Sequence, residues 1–120
     1  MKRILIVEDN EKSLYLERFI MEKGGHEVIE ARDGLGAFNK VSQQTPDLIL
    51  LDMQPHRLDG YEAIRRVKSD ERSSKIPVIA LTAYTMKGDR EKALEVECSG
   101  YIEKPIETST FLEEVNRHVV

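Results

Sequence analysis

The sequence predicts an α/β fold in which one parallel sheet is covered by helices on both faces. Three observations lead there. The runs Ile4-Leu5-Ile6-Val7, Leu48-Ile49-Leu50-Leu51 and Val78-Ile79-Ala80-Leu81 have no polar break, the pattern of strands buried on both faces. Segments of helical period separate them, so that strand and helix alternate about five times with short connections. Gly24-Gly25, Asp33, Pro46 and Pro77 stand at the changes of period, where chain breakers and helix caps belong.

Each element has its own warrant. Residues 2–7 form the first strand. A helix follows from about Asn10 to Lys23, with Leu16, Phe19 and Ile20 on its core stripe and Gly24-Gly25 ending it. Glu27 to Ala31 is a short second strand. Asp33 caps a helix running to about Gln43, and Pro46 precedes the third strand. Asp59 is placed to cap the next helix, because Glu62 stands three residues later in capping-box spacing, and Ser73-Ser74 closes it. Pro77 opens the fourth strand, a charged helix covers about Met86 to Glu97, and a last strand at 100–103 leads into a helix from about Thr108 to His118.

The chain of 120 residues is long enough for one core and too short for two, so residues 1–120 are expected to form a single domain. Apolar residues make up 40% and charged residues 33%, as in ordinary globular proteins. A net charge of −4 argues against direct nucleic-acid binding, which needs a basic surface. No apolar stretch approaches the about 20 residues that span a bilayer, and no signal-peptide pattern opens the chain. Cys98 is the only cysteine, which excludes an internal disulfide and suits a reducing cytoplasm; it reads as a small buried hydrophobe. Right-handed crossovers and this size favour a flavodoxin-like (βα)5 three-layer sandwich with strand order 2-1-3-4-5. In that order strands one and three are neighbours at a topological switch point, where ligands bind outside the carboxyl ends.

What stands at those ends is chemically pointed. The first run closes in Glu8-Asp9, the third strand in Asp52, the fourth in Thr82, and the fifth delivers Lys104 before Pro105. Three crowded carboxylates repel at neutral pH unless one is protonated or a cation joins them. Hard oxygen donors in an open site suit Mg2+, which takes one or two carboxylates together with a phosphoryl oxygen. Lys104 adds a fixed positive charge, so a phosphate-bearing anion fits between metal and lysine with a carboxylate in line. Asp52 is the best nucleophile because it stands alone, leaving Glu8 and Asp9 as metal ligands.

These residues carry a resemblance. ILIVEDN at 4–10, PDLILLDM at 46–53, DG at 59–60, PVIALTA at 77–83 and YIEKPI at 101–106 resemble, in order and spacing, the receiver domains of two-component response regulators. The stretch from Leu81 to Asp89 is most similar to DivK-like single-domain regulators, within the wider CheY-like group. The resemblance implies that Asp52 accepts a phosphoryl group from a histidine kinase or histidine phosphotransfer protein. It implies that Asp9 holds Mg2+ directly, Glu8 mainly through water, and the backbone carbonyl of Gln54 completes the protein ligands. Lys104 would pair with the phosphoryl oxygens, and Lys104-Pro105 matches the family's cis peptide. Thr82 matches the switch hydroxyl and Tyr101 the aromatic that moves with it, altering the face formed by the predicted 86–97 helix, the last strand and the last helix. A downstream protein target would read that face.

One departure is local: Pro55-His56 stands where the family usually has an apolar residue and then proline. His56 reads as a solvated loop residue, and His26 and His118 likewise look solvated or dipole-complementing. Gln54 and Tyr84, two positions after Asp52 and Thr82, would flank the path of a hydrolytic water. A donor reaching Asp52 would dock on the first helix, where Leu14 and Met21 form a second apolar line, to be covered by a partner or by the last helix. Competing readings fit less well. A haloacid-dehalogenase-type hydrolase wants an acid where Gln54 stands, and Glu8-Asp9 would repel the phosphate of a flavin. A receiver excised from a hybrid kinase or larger regulator, and a receiver-shaped module that is never phosphorylated, stay as alternatives.

Overall fold

The computed structural model describes residues 2–52, 58–71, 73–82, 100–103 and 106–118, with the backbone alone for residues 52, 58–61, 63, 64, 82, 101 and 103. Five strands, β1 (Arg3–Val7), β2 (Glu27–Ala31), β3 (Leu48–Asp52), β4 (Val78–Thr82) and β5 (Gly100–Glu103), pair in parallel in the order β2-β1-β3-β4-β5. Helices α1 (Glu11–Lys23), α2 (Gly34–Gln43), α3 (Leu58–Ser69) and a C-terminal helix (Phe111–Asn116) are described around it. The expected sheet order holds. The helix expected over 86–97, and with it Cys98, lies outside the described residues.

Strand alternation divides the core in two. Leu5, Val7, Ile49, Leu51, Val78 and Ala80 pack with Ala37 and Val41 of α2 and Val67 of α3. Ile4, Ile6, Leu48, Leu50, Ile79 and Leu81 pack on the other face with Leu14 and Met21 of α1 and with Phe111 and Val115 of the C-terminal helix. Because the three inner strands carry side chains into both layers, their sequences show no polar break.

The predicted rotation of α1 is corrected. Leu14, Glu17 and Met21 face inward, whereas Leu16 is 37%, Phe19 51% and Tyr15 72% exposed. Apolarity misled the reading because the inward stripe includes a carboxylate, while two aromatic rings point to solvent. Tyr15 and Phe19 stack on each other with centroids 6.4 Å apart, and Lys23 Nζ lies 5.7 Å from the Phe19 ring. Of the two roles open to the Leu14–Met21 line, packing under the C-terminal helix is the one observed.

Other boundaries shift for local reasons. Helix α3 starts at Leu58, so Asp59 lies within its first turn, and Glu62 pairs forward with Arg65 (3.7 Å) and Arg66 (3.9 Å). It ends at Ser69, before Ser73-Ser74; Ser73 Oγ donates to Val67 O at 2.7 Å, and Lys68 Nζ donates to Ile76 O at 2.6 Å, shaping the turn into β4. The C-terminal helix is shorter than predicted, because residues 108–110 form a turn and Thr110 makes no side-chain cap. Two histidines expected in solvent are half-buried. His26 Nε2 meets Asn116 Oδ1 at 2.8 Å, and the His118 ring lies over Gly100, 2.7 Å from where a Cβ would stand. At the end of α1, Gly25 has φ 91°, and Leu112 lies over Gly24 within 2.6 Å of a would-be Cβ.

Candidate functional site

The register of the sheet builds the site. Val7 of β1 is level with Leu51 of β3, so Glu8 and Asp52, each one residue further on, leave neighbouring strands together. Adjacent strands lie about 4.8 Å apart, which makes these two acids spatial neighbours across 44 residues of sequence. Asp52 is level with Leu81, so Thr82 emerges one step beyond it on β4, and Thr82 is level with Glu103 on β5. Tyr101 lies deeper in β5, level with Ala80. Lys104 follows Glu103 in sequence; it and Gln54, Pro55, His56 and Tyr84 lie outside the described residues.

The two adjacent acids differ sharply. Glu8 is 1% exposed, and its backbone N–H donates to Ala31 O at 2.9 Å, fixing the end of β1 to the end of β2. Asp9 is exposed, and Asn10 caps α1 by accepting from Ser13 N–H at 3.0 Å. Glu11, in the first turn, pairs with Arg32 at 3.4 Å, tying α1 to the segment after β2. The turn from β1 into α1 is thus held at both sides, and it presents one buried and one open carboxylate beside Asp52.

Such a donor set fits a hard divalent cation. Glu8 and Asp9 offer hard carboxylate oxygens, and Asp9 is open to water, as Mg2+ requires. Among the described side chains no three gather into a metal cluster, and the Asp52 carboxylate is not one of those side chains. Further along α1, Arg18 bridges Glu22 (3.2 Å) and Glu30, and these acids, Glu22 first, raise its pKa above the usual value. Sequence reading missed the outward Tyr15–Phe19 pair, although the i, i+4 aromatic spacing with Lys23 a further turn on was its signal.

A parallel sheet whose neighbouring carboxyl ends carry Glu8, Asp52 and Thr82 is consistent with a receiver-type signalling domain. The response regulator receiver domain profile matches residues 4–116, and the chain belongs to that family. It is 42% identical over 118 residues to the polar-differentiation response regulator DivK of Brucella ovis, covering 98% of this chain and 96% of that one. Among solved structures, the receiver domain of a sensor histidine kinase from Pseudomonas aeruginosa, with a magnesium ion coordinated in its active site cleft, superposes with TM-score 0.88 at 32% identity. That match covers 98% of this chain and 96% of that one. The phosphorylated cyanobacterial phytochrome response regulator RcpA gives TM-score 0.78 at 31% identity, over 97% and 89% of the two chains. The family and fold are consistent with phosphorelay signalling. Among the described residues, no helix is long and apolar enough to cross a membrane.

Proposed function

We propose that this protein, a single domain over residues 1–120, is a phosphorelay switch that takes a phosphoryl group onto Asp52 from a histidine of a kinase or phosphotransfer protein. In that step an Asp52 oxygen forms the new bond to phosphorus, the phosphorus–nitrogen bond to the donor imidazole breaks, and its electron pair stays on the imidazole. Glu8, Asp9, Asp52 and the Gln54 carbonyl would hold Mg2+, which when bound neutralises charge on the phosphoryl oxygens. Lys104 pairs with those oxygens, and Thr82 turns toward them while Tyr101 responds. The added charge of about −1.5 to −2 then biases a two-state face read by a protein target in the cytoplasm. The same site catalyses its own phosphotransfer and autodephosphorylation.

The observation carrying this reading is the register that brings Glu8, Asp52 and Thr82 to neighbouring strand ends. The magnesium-bearing kinase receiver and the phosphorylated regulator named above support it by analogy. Incubation with acetyl phosphate and Mg2+ should add one phosphoryl group, and Asp52→Asn should abolish it; labelling that survives this substitution would overturn the assignment. A donor docks on α1 beside the site, through the outward residues Tyr15, Leu16 and Phe19 and not through buried Leu14. Likeness to receiver domains of sensor histidine kinases favours a second reading, a receiver belonging to a larger hybrid protein, which the full gene sequence decides.

A further inference from the structure

The outward face of α1 is cationic as well as apolar, on a protein of net charge −4. Both outward acids of the helix are engaged within the molecule, Glu11 by Arg32 at 3.4 Å and Glu22 by Arg18 at 3.2 Å. Lys12 and Lys23 are exposed and form no ion pair among the described residues; Lys23 Nζ lies over the Phe19 ring instead, 5.7 Å from its centroid. Eleven residues separate the two lysines, three helical turns and about 16 Å along the axis, so they share one line of the helix. Tyr15, Leu16 and Phe19 lie between them. The face therefore reads cation, apolar centre, cation.

That order decides between occupants. If two copies paired through this face antiparallel, Lys12 of one would meet Lys23 of the other. Parallel pairing would set each lysine against itself. Self-association is disfavoured in both directions, since like charges placed opposite one another cost affinity and exclude wrong partners. We infer that α1 receives a partner helix with an apolar centre and an acidic residue near each end, spaced to meet Lys12 and Lys23. The inference rests on the phosphorelay reading only in assigning that helix to the phosphodonor, and it gives the donor's chemistry from this chain's own charges.

The test uses two stapled helical peptides with the same leucine-rich centre, one carrying glutamates about 16 Å apart at its ends, the other lysines. Titrated into the labelled full chain, the acidic peptide should shift the amide signals of residues 12–23 and bind about fivefold tighter than the basic one. Lys12→Glu combined with Lys23→Glu should reverse the preference, and Phe19→Ala should weaken both peptides. Equal binding of the two, shifts confined to another face, or a concentration-dependent dimer that Phe19→Ala abolishes would overturn the proposal. Acetyl phosphate labelling of the same samples separates the two ideas. Labelling without peptide preference sinks the docking chemistry alone, and preference without labelling sinks the phosphorelay reading while the surface stands.

Discussion

At the amino-terminal edge of the sheet, Arg3 is answered by two acids close by. Arg3 N–H donates to Asp47 Oδ2 at 2.8 Å, the Arg3 guanidinium pairs with Glu27 at 3.4 Å, and Asp47 N–H donates back to Arg3 O at 2.7 Å. At the carboxyl-terminal edge the neighbouring strands β1 and β3 lead into Glu8-Asp9 and end in Asp52, which gathers three acids at two adjacent strand ends. The first edge is arranged as a fold would have it, with opposite charges adjacent. The second works against the fold, because carboxylates at neighbouring strand ends repel unless a cation joins them. The difference sets the residues that pair within the fold apart from those proposed above for chemistry, on one sheet.

Substitutions test that contrast. The largest effect is expected from Asp52→Asn, which should remove phosphorylation altogether and, without Mg2+, raise the melting temperature by ~4 °C by relieving repulsion. A lower melting temperature would put Asp52 among the structural residues. Leu14→Ala should cost about 2–4 kcal/mol in denaturant melts, since Leu14 is 5% exposed against the layer holding Phe111 and Val115. Tyr15→Ala, next to it, should stay within about 0.5 kcal/mol and slow transfer from a kinase without changing acetyl phosphate labelling. If both variants melt alike, the rotation of α1 is wrong. Glu8→Gln should weaken Mg2+ binding about tenfold in a fluorescence or calorimetric titration, the size usual for an outer partner. The smallest change belongs to the opposite edge. Asp47→Ala should cost about 1 kcal/mol, partly lost in high salt, and leave labelling and Mg2+ affinity untouched.

Legibility in the sequence followed burial. The inner strands and their order could be read because Ile4–Val7, Leu48–Leu51 and Val78–Leu81 meet side chains on both faces and allow no polar residue. The candidate site is suggested for the related reason that a strand end is where polarity abruptly begins, as at Glu8 and Asp52, and the register places those two ends side by side. The phase of α1 could not be read. Glu17, 1% exposed, occupies a core position, while Tyr15 and Phe19 take the solvent side, so a count of apolar residues favours the wrong face. Neither contact of the half-buried histidines leaves a local pattern: Asn116 is 90 residues from His26, and Gly100 offers His118 only the lack of a side chain.

The adjacent glycines that end α1 are required for opposite reasons, and they should drift differently over evolutionary time. Gly25 has open space around it but a backbone at φ 91°, so asparagine is its natural replacement and a β-branched residue its worst. Gly24 has an ordinary backbone at φ −79°, and what it lacks is room beneath the Leu112 methyls. Those methyls end a flexible, half-buried side chain, so alanine at 24 becomes acceptable once residue 112 is smaller or turns aside. Position 24 should therefore vary in concert with a residue on the C-terminal helix, and position 25 should answer to nothing beyond its own dihedral angles.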